Sequence, residues 1–223
     1  MLIEDWMTRD PVTITDDTSL IRAIHIINEH HFRRLPVMNA GRLVGLVTDR
    51  DLKAASPSRA TTLDVHEMYY LMAEMQVKEI MSRDPITVSQ DATVEEAAQT
   101  MLAHTISGLP VVDAGGSMVG IITQSDILRA LLHISGSLQG GVQFALRLED
   151  RPGVLREVAD LMRAKGGRLL SLLSCYLSPE ENLREVYVRV KNLSPEAVAA
   201  IQAELAARFE VLYVIQERRG AGE

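Results

Sequence analysis

The sequence has little cysteine, no long apolar run and no basic stripe, and each absence excludes something. Cys175 is the only cysteine in 223 residues, so no intrachain disulfide can form, and a thiolate zinc site would lack three of its usual four ligands. That usage fits a reducing cytosol. No stretch approaches the ~18 apolar residues a membrane span needs. The start, Met1-Leu2-Ile3-Glu4-Asp5-Trp6, is acidic and lacks the charged n-region of an export signal. The expectation is a cytoplasmic protein with no membrane partner. A net charge of -7 would repel nucleic-acid phosphates unless the basic residues were gathered on one face, and no Arg-rich reading helix is evident, so no DNA partner is expected. With 47% hydrophobic and 24% charged residues the chain is not disordered, collagen-like or a disulfide mini-protein. It should bury roughly 70–75% of its unfolded surface, with room for one large or two modest domains.

The familiar catalytic signatures are missing too: His-Glu-x-x-His, Gly-x-Gly-x-x-Gly, Gly-x-x-x-x-Gly-Lys and Gly-x-Ser-x-Gly. His30 and His31 are adjacent at a helix end, so they point apart, and no Cys or third His keeps metal-ligand spacing with them. Cys175 has no basic neighbour in sequence and reads as a small apolar strand residue. These readings predict a protein that is not an enzyme and holds no metal or resident cofactor. Two competing classes stay open: a transcription regulator, which would need a DNA-reading helix, and a small-molecule enzyme whose acid, base or nucleophile the sequence does not name.

What is present is an internal repeat. Met7-Thr8-Arg9-Asp10-Pro11-Val12-Thr13-Ile14 is echoed 74 residues later by Met81-Ser82-Arg83-Asp84-Pro85-Ile86-Thr87-Val88. The register holds from Leu35-Pro36-Val37 to Leu109-Pro110-Val111, then slips by one residue in the turn Ala114-Gly115-Gly116, where an insertion is cheap. Each copy carries an amphipathic helix, with Leu20, Ala23, Ile24, Ile27 in the first and Val94, Ala97, Ala98, Met101 in the second. Thr93 and Glu96 have capping-box spacing. Two short strands and a further helix follow, so the unit is β-α-β-β-α, taken twice. Between the copies, Ala55-Ser56-Pro57-Ser58 breaks a helix, and Val65, Met68, Tyr69, Met72 form a connecting one. Its methionine face suits core packing between the copies or a partner groove.

The expected layout is a repeat pair over 1–134 (repeat one 1–58, connecting helix 61–76, repeat two 77–134), a Gly/Ser hinge at 135–141, and a second domain over 142–217. The second domain reads βαββαβ, the order of the ferredoxin-like split βαβ unit. Its helices are marked by Leu155, Val158, Ala159, Met162, stopping at Gly166-Gly167, and by Ser194-Pro195-Glu196 leading into Val198, Ile201, Leu205. Pro179-Glu180-Glu181-Asn182 is the expected turn before the strand that carries Val186, Val188 and Val190. Arg218 to Glu223 reads as a frayed tail.

The candidate chemistry lies where each repeat's second strand meets its last helix: Gly45-Leu46-Val47-Thr48-Asp49-Arg50-Asp51 and Gly120-Ile121-Ile122-Thr123-Gln124-Ser125-Asp126. Both read Gly-apolar-apolar-Thr-x-x-Asp. A carboxylate accepts only, which suits the paired hydroxyls of a ribose. The Thr hydroxyl and first-turn N–H groups suit a phosphate, and glycine lets a flat base approach the backbone. Thr and Asp at these positions are also ordinary helix caps, but their recurrence in register favours a ligand. The copies differ: Arg33 and Arg34 match Ser107 and Gly108, and Asp49-Arg50 match Gln124-Ser125. If Arg33, Arg34 and Arg50 serve a phosphate, one site should dominate; as solvated surface residues they would serve neither.

On these motifs residues 7–55 and 77–131 resemble a tandem pair of CBS domains, regulatory modules that commonly bind adenosine ligands between two copies. The resemblance implies AMP, ADP, ATP or S-adenosylmethionine as the ligand. It places Asp51 and Asp126 on ribose, Thr48 and Thr123 near ribose or phosphate, and the Thr13 and Thr87 strands with the Leu35-Pro36 and Leu109-Pro110 segments around the base; Gly108 joins the nucleotide-binding candidates. The turn Leu148-Glu149-Asp150-Arg151-Pro152-Gly153-Val154-Leu155 resembles that of an ACT domain. That implies homodimerisation and an amino-acid site at Asp150, Arg151, Gly153, Val154 and Leu155. The combination resembles bacterial acetoin-utilisation regulatory proteins, which implies a sensor acting on a protein target. The fold class expected is α+β: the tandem repeat followed by the βαββαβ domain.

Overall fold

The computed structural model describes residues 1–57, 64–178 and 182–217. The chain divides into two compact units, Met1–Ile127 and Leu128–Glu223. Ser58, the turn residues Pro179, Glu180 and Glu181, the first residues of the connecting segment and the tail from Arg218 fall outside the described residues. No helix among those described is long and apolar enough to cross a membrane.

The first unit contains β1 (Thr8–Arg9), β2 (Ile14–Thr15), α1 (Leu20–His30), β3 (Arg34–Asn39), β4 (Arg42–Thr48), α2 (Asp49–Ala55) and α3 (Val65–Glu74). It continues through β5 (Ser82–Arg83), β6 (Val88–Ser89), α4 (Val94–His104), β7 (Gly108–Val112) and β8 (Met118–Thr123). The helix α5 (Gln124–Ile134) starts here. The repeat is visible in detail. Thr105 and His31, at matched helix ends, both adopt left-handed backbone, as do Asp10 and Asp84 at the matched Asp-Pro turns. A β-branched threonine rarely takes that conformation, so the architecture imposes it at the α4 terminus. α1 is capped by Ser19, whose hydroxyl accepts from Arg22 N. α4 carries the full capping box, Glu96 N to Thr93 Oγ1 at 3.1 Å and Thr93 N to Glu96 Oε2 at 2.7 Å.

One feature departs from the sequence reading, which treats each copy as self-contained. The sheets run β2-β3-β4-β5 and β1-β8-β7-β6, so each copy gives its first strand to the other. Gly45 pairs with Arg83 and Gly120 with Arg9. The preceding residues travel with the strands: Ile3 and Met7 lie in the core of the second copy with Ala97, Met101, Leu109, Val111 and Ile122. Val77 lies in that of the first with Leu20, Ala23, Leu35, Val37 and Val47. The glycines of the repeated motif serve this exchange. A β-carbon at Gly45 would meet Met81 Sδ at 2.3 Å, and one at Gly120 would meet Met7 Sδ at 2.5 Å. They therefore admit a methionine rather than a flat base. In α3, Met72 packs with Met75 against the first copy's core, while Tyr69, Tyr70 and Leu71 are exposed.

The second unit comprises β9 (Gly141–Glu149), α6 (Val154–Ala164), β10 (Arg168–Ser178), β11 (Leu183–Lys191), α7 (Pro195–Ala206) and β12 (Glu210–Glu217). The sheet order is β10-β11-β9-β12 with every pairing antiparallel, which is the split βαβ arrangement read from the sequence. Alternate residues Phe144, Leu146, Leu148, Val186, Val188 and Val190 meet Val158, Met162, Ile201 and Leu205 of the two helices. In β12 a bulge between Val211 and Tyr213 turns Val214 toward this core and leaves Tyr213 and Ile215 exposed.

The division between units falls inside α5, earlier than the expected hinge at 135–141. That hinge has fixed structure: Ser137–Gln139 is a 3₁₀ turn, β9 begins at Gly141, and the Ser135 carbonyl accepts from Ser171 Oγ (2.7 Å) and Arg189 Nε (2.9 Å). Arg189, only 4% exposed, also donates to Gln143 Oε1. Its burial is possible because the Ser135 carbonyl and the Gln143 side chain, both distant in the chain, take its N–H groups.

Candidate functional site

Each repeated Thr-x-x-Asp motif forms a helix start. Thr48 ends β4 and caps α2; Asp51 Oδ2 accepts from Thr48 N (2.8 Å) and Thr48 Oγ1 (2.7 Å), while Asp51 N donates back to the hydroxyl. In the second copy Asp126 Oδ2 accepts from Thr123 N (2.8 Å) and Thr123 Oγ1 (2.6 Å). Asp126 is 2% exposed, whereas Asp51 is half-buried. Both carboxylates thus do capping work within their own motif. The exchange of bonds also fixes the Thr rotamers at the mouth of the strands, where Arg34 pairs with Thr48 and Gly108 with Thr123.

Between the copies lies a cleft of about 1080 Å³. Its walls include Arg33, Arg34, Thr48, Asp49, Arg50 and Lys53 from the first copy, and Arg83 to Ile86, Met101, Leu102, Thr105 to Gly108 and Gln124 from the second. Of the residues proposed from sequence, Arg33, Arg34, Thr48, Arg50 and Gly108 line it. Asp51 stands behind Thr48, to which it is bonded. Pro36 and Pro110 are buried in β3 and β7, Thr13 and Thr87 are exposed just before β2 and β6, and Thr123 and Asp126 close the second motif; none of these is part of the lining.

The cleft is cationic. Arg34 crosses from one copy to the other: Nη2 donates to Ser107 Oγ at 2.6 Å, and a β-carbon at Gly108 would fall 1.4 Å from Nη1. Matched positions 34 and 108 therefore face each other, and the missing side chain of one makes room for the long side chain of the other. Burial, and next the neighbouring Arg33 charge, push the Arg34 pKa below its ordinary value, against the pull of Asp49 and Asp126. Lys53 Nζ lies 3.2 Å from Asp49 Oδ2. Sequence reasoning missed Lys53, Asp49, Arg83 and Asp84 as lining residues. Arg83 carries a signal only once strand exchange is known, because it reaches the cleft on a strand paired with the other copy.

In the second unit the turn Asp150, Arg151, Pro152, Gly153, Val154, Leu155 lines a hollow of about 370 Å³ with Arg184, which the sequence reading did not include. Asp150 Oδ1 lies 2.7 Å from Arg184 Nη2, and Arg151 holds Glu157 through two bonds of 2.6 and 2.7 Å. Gly153 precedes α6 with left-handed backbone and no side-chain cap, so first-turn N–H groups of that helix lack a side-chain acceptor. Asp150 and Arg151, the side chains suited to an ammonium and a carboxylate, are already engaged with one another's neighbours.

Two α+β repeats trade strands around a shared polar cleft, which defines a tandem module. The CBS domain family model matches residues 3–58 and 77–133, about half of the chain, and the chain belongs to this family. A CBS domain-containing protein of Dictyostelium discoideum is 34% identical over 135 residues, spanning 60% of this chain and 93% of that one. An uncharacterised protein of Methanocaldococcus jannaschii is 34% identical over 172 residues, 73% of this chain, which spans 61% of the relative's length. Among solved structures, the CBS-pair protein CBSX2 of Arabidopsis thaliana is 29% identical, covers 61% of this chain and 97% of its own, and superposes with a TM-score of 0.52. CBSX2 has also been solved in complex with AMP; that structure is 32% identical, covers 60% of this chain and 97% of its own, with a TM-score of 0.49.

Proposed function

We propose that the protein is a non-catalytic sensor that takes an adenine nucleotide or adenosyl compound (AMP, ADP, ATP or S-adenosylmethionine) into the cleft of its CBS pair. The observation that carries this reading is the cationic cleft between the copies, lined by the strand-to-helix cap Thr48, whose hydroxyl and following first-turn N–H groups suit phosphate oxygens. Asp51 and Asp126, behind the lining, reach ribose by exchanging part of their capping bonds for sugar hydroxyls, while Thr13, Pro36, Thr87, Pro110 and Thr123, outside the lining of the cleft, shape the nucleoside's surroundings only through the strands and turns that carry them. One of the two sites dominates, because the Arg33, Arg34, Arg50 group has no counterpart at Ser107, Gly108 and Ser125. Membership of the same family as an AMP-binding CBS-pair protein supports the choice of ligand.

The second unit, in this reading, is an ACT domain that makes a homodimer and passes the ligand-dependent state to a protein target, within acetoin utilisation or another pathway of the cytoplasm. Its split βαβ topology supports that assignment. An amino acid at Asp150 to Leu155 would have to draw Asp150 away from Arg184, so dimerisation is the stronger part of the proposal. The sensor works only if the ligand binds two states unequally.

A thermal-shift screen of adenine nucleotides, S-adenosylmethionine and amino acids tests this, repeated on Asp51→Ala and Asp126→Ala. At about 100 times its Kd a ligand adds ~2.7 kcal/mol, a rise on the order of 5–10 °C. No shift with any adenosine compound, or shifts untouched by removing both carboxylates, would end the reading.

A further inference from the structure

The cleft lining holds the guanidiniums of Arg33, Arg34, Arg50 and Arg83, and among the described residues none of these makes a salt bridge. Lys53 and Asp49 compensate each other at 3.2 Å, which leaves Asp84 as the other carboxylate of the lining. Arg34 is the most constrained of the group. It reaches across the copies to Ser107, rests in the space left by Gly108, and its Nε is buried with no hydrogen-bond partner. Like charges gathered in a partly enclosed space repel one another more strongly than they would in open water. Guanidinium forks are matched by phosphate oxygens. A nucleoside monophosphate brings too few oxygens and too little charge to occupy such a set, whereas each added phosphate brings more of both. S-adenosylmethionine brings a sulfonium and an ammonium against one carboxylate, which this cleft repels.

We propose that the cleft selects a nucleoside di- or triphosphate over a monophosphate or a sulfonium ligand, and that Arg34, seated on Gly108, engages the phosphates beyond the first. This rests on the nucleotide reading above and narrows it. Gly108 then has a defined part. A methyl there displaces the Arg34 guanidinium while leaving every arginine in the chain, so Gly108→Ala should reproduce Arg34→Ala.

The test is calorimetric titration of the full chain, with EDTA present, against ATP, ADP, AMP, S-adenosylmethionine, inorganic tripolyphosphate and inorganic phosphate. The wild type should bind ATP and ADP at least about tenfold more tightly than AMP, and S-adenosylmethionine more weakly still. Arg34→Ala and Gly108→Ala should weaken ATP and ADP by at least about tenfold more than they weaken AMP, bringing all three to within about threefold of one another; Arg34→Lys should keep part of the preference. Thermal unfolding confirms that each variant is folded, and Arg34→Ala, which removes only a cleft side chain, carries the test if Gly108→Ala does not fold. AMP binding as tightly as ATP, or Arg34→Ala weakening both equally, overturns the selectivity and leaves the nucleotide reading standing. Tripolyphosphate binding with no nucleotide bound overturns the nucleoside reading and leaves the phosphate selectivity standing. No binding of either overturns both.

Discussion

The two copies of the repeat agree in their cores and their caps and disagree at their mouths. Leu35 and Leu109 are both fully buried, Val37 and Val111 likewise, and the Thr48–Asp51 and Thr123–Asp126 bonds are nearly superposable in length. Arg34 and Gly108, at matched positions, could hardly be less alike. Positions that hold the helix starts and the sheet are tied to packing and to buried hydrogen bonds. The charged side chains at the cleft hold neither a sheet nor a helix start, and that of Arg34 bonds across to Ser107, so a duplicated sequence can give them different charges without losing the fold.

The two cores should respond alike to the same truncation. Leu35→Ala and Leu109→Ala should each destabilise by about 2–5 kcal/mol, with similar values, in urea unfolding followed by circular dichroism; a tolerated substitution in one copy would show that the copies do not share a packing scheme. Next in size is the mouth. If Arg50 serves a phosphate, Arg50→Ala should lose about 1.5–3 kcal/mol of nucleotide binding, roughly ten- to hundredfold in Kd, with stability changed by less than about 0.5 kcal/mol. Ser125→Ala, at the matched position, should change affinity little. Equal losses from the two variants in calorimetry would remove the asymmetry.

The caps should differ by burial. Asp126→Ala leaves Thr123 N–H without its acceptor at a buried position and should destabilise by about 1–2 kcal/mol, while Asp51→Ala, half exposed, should cost about 0.5–1 kcal/mol. Reversal of that order in denaturant midpoints would mean that water already serves Thr123. The smallest effect concerns pH. The backbone and then the side chain of Thr93 donate to Glu96 and hold its carboxyl below the ordinary range. The matched residue in the first copy is Arg22. A carboxyl whose pKa is lower when folded contributes stability that is complete above its unfolded value, ~4.3, and is lost as the pH falls through the folded value. The stability advantage of the wild type over Glu96→Gln should therefore be constant above about pH 5 and shrink below about pH 4. An advantage that persists at pH 3 would mean that the carboxylate's charge is not its source.

Much of this was legible in the sequence because it is local. The helices over Leu20–His30 and Val94–His104 follow from apolar spacing, and Thr93 with Glu96 marks a start that the structure has. The split βαβ order follows from alternation in Val186, Val188, Val190 and from Ser194-Pro195-Glu196. What was not legible depends on partners distant in the chain. Nothing near Ser82-Arg83 says that these residues pair with Gly45 and Leu46. Likewise Gly45 and Gly120 carry no local sign that a methionine sulphur, rather than a ligand, comes against them. Among the cleft residues, Arg33, Arg34 and Arg50, and equally Lys53 against Leu128, can be singled out by comparing copies, but Arg83, matched by Arg9, is distinguished only by strand exchange. Arg189 alternates with Val188 and Val190, and nothing beside it in the sequence marks the Ser135 carbonyl that takes its Nε–H.

The trading of first strands has a consequence for any attempt to divide the molecule. A polypeptide ending near residue 76 would keep β1, which belongs to the other sheet, and would be missing β5, which completes its own. Alone it would carry an orphaned ribbon and an open groove of matching shape. Two such fragments could repair each other by reciprocal donation, with Ile3 and Met7 of one filling the places that Val77 and Met81 occupy in the intact chain.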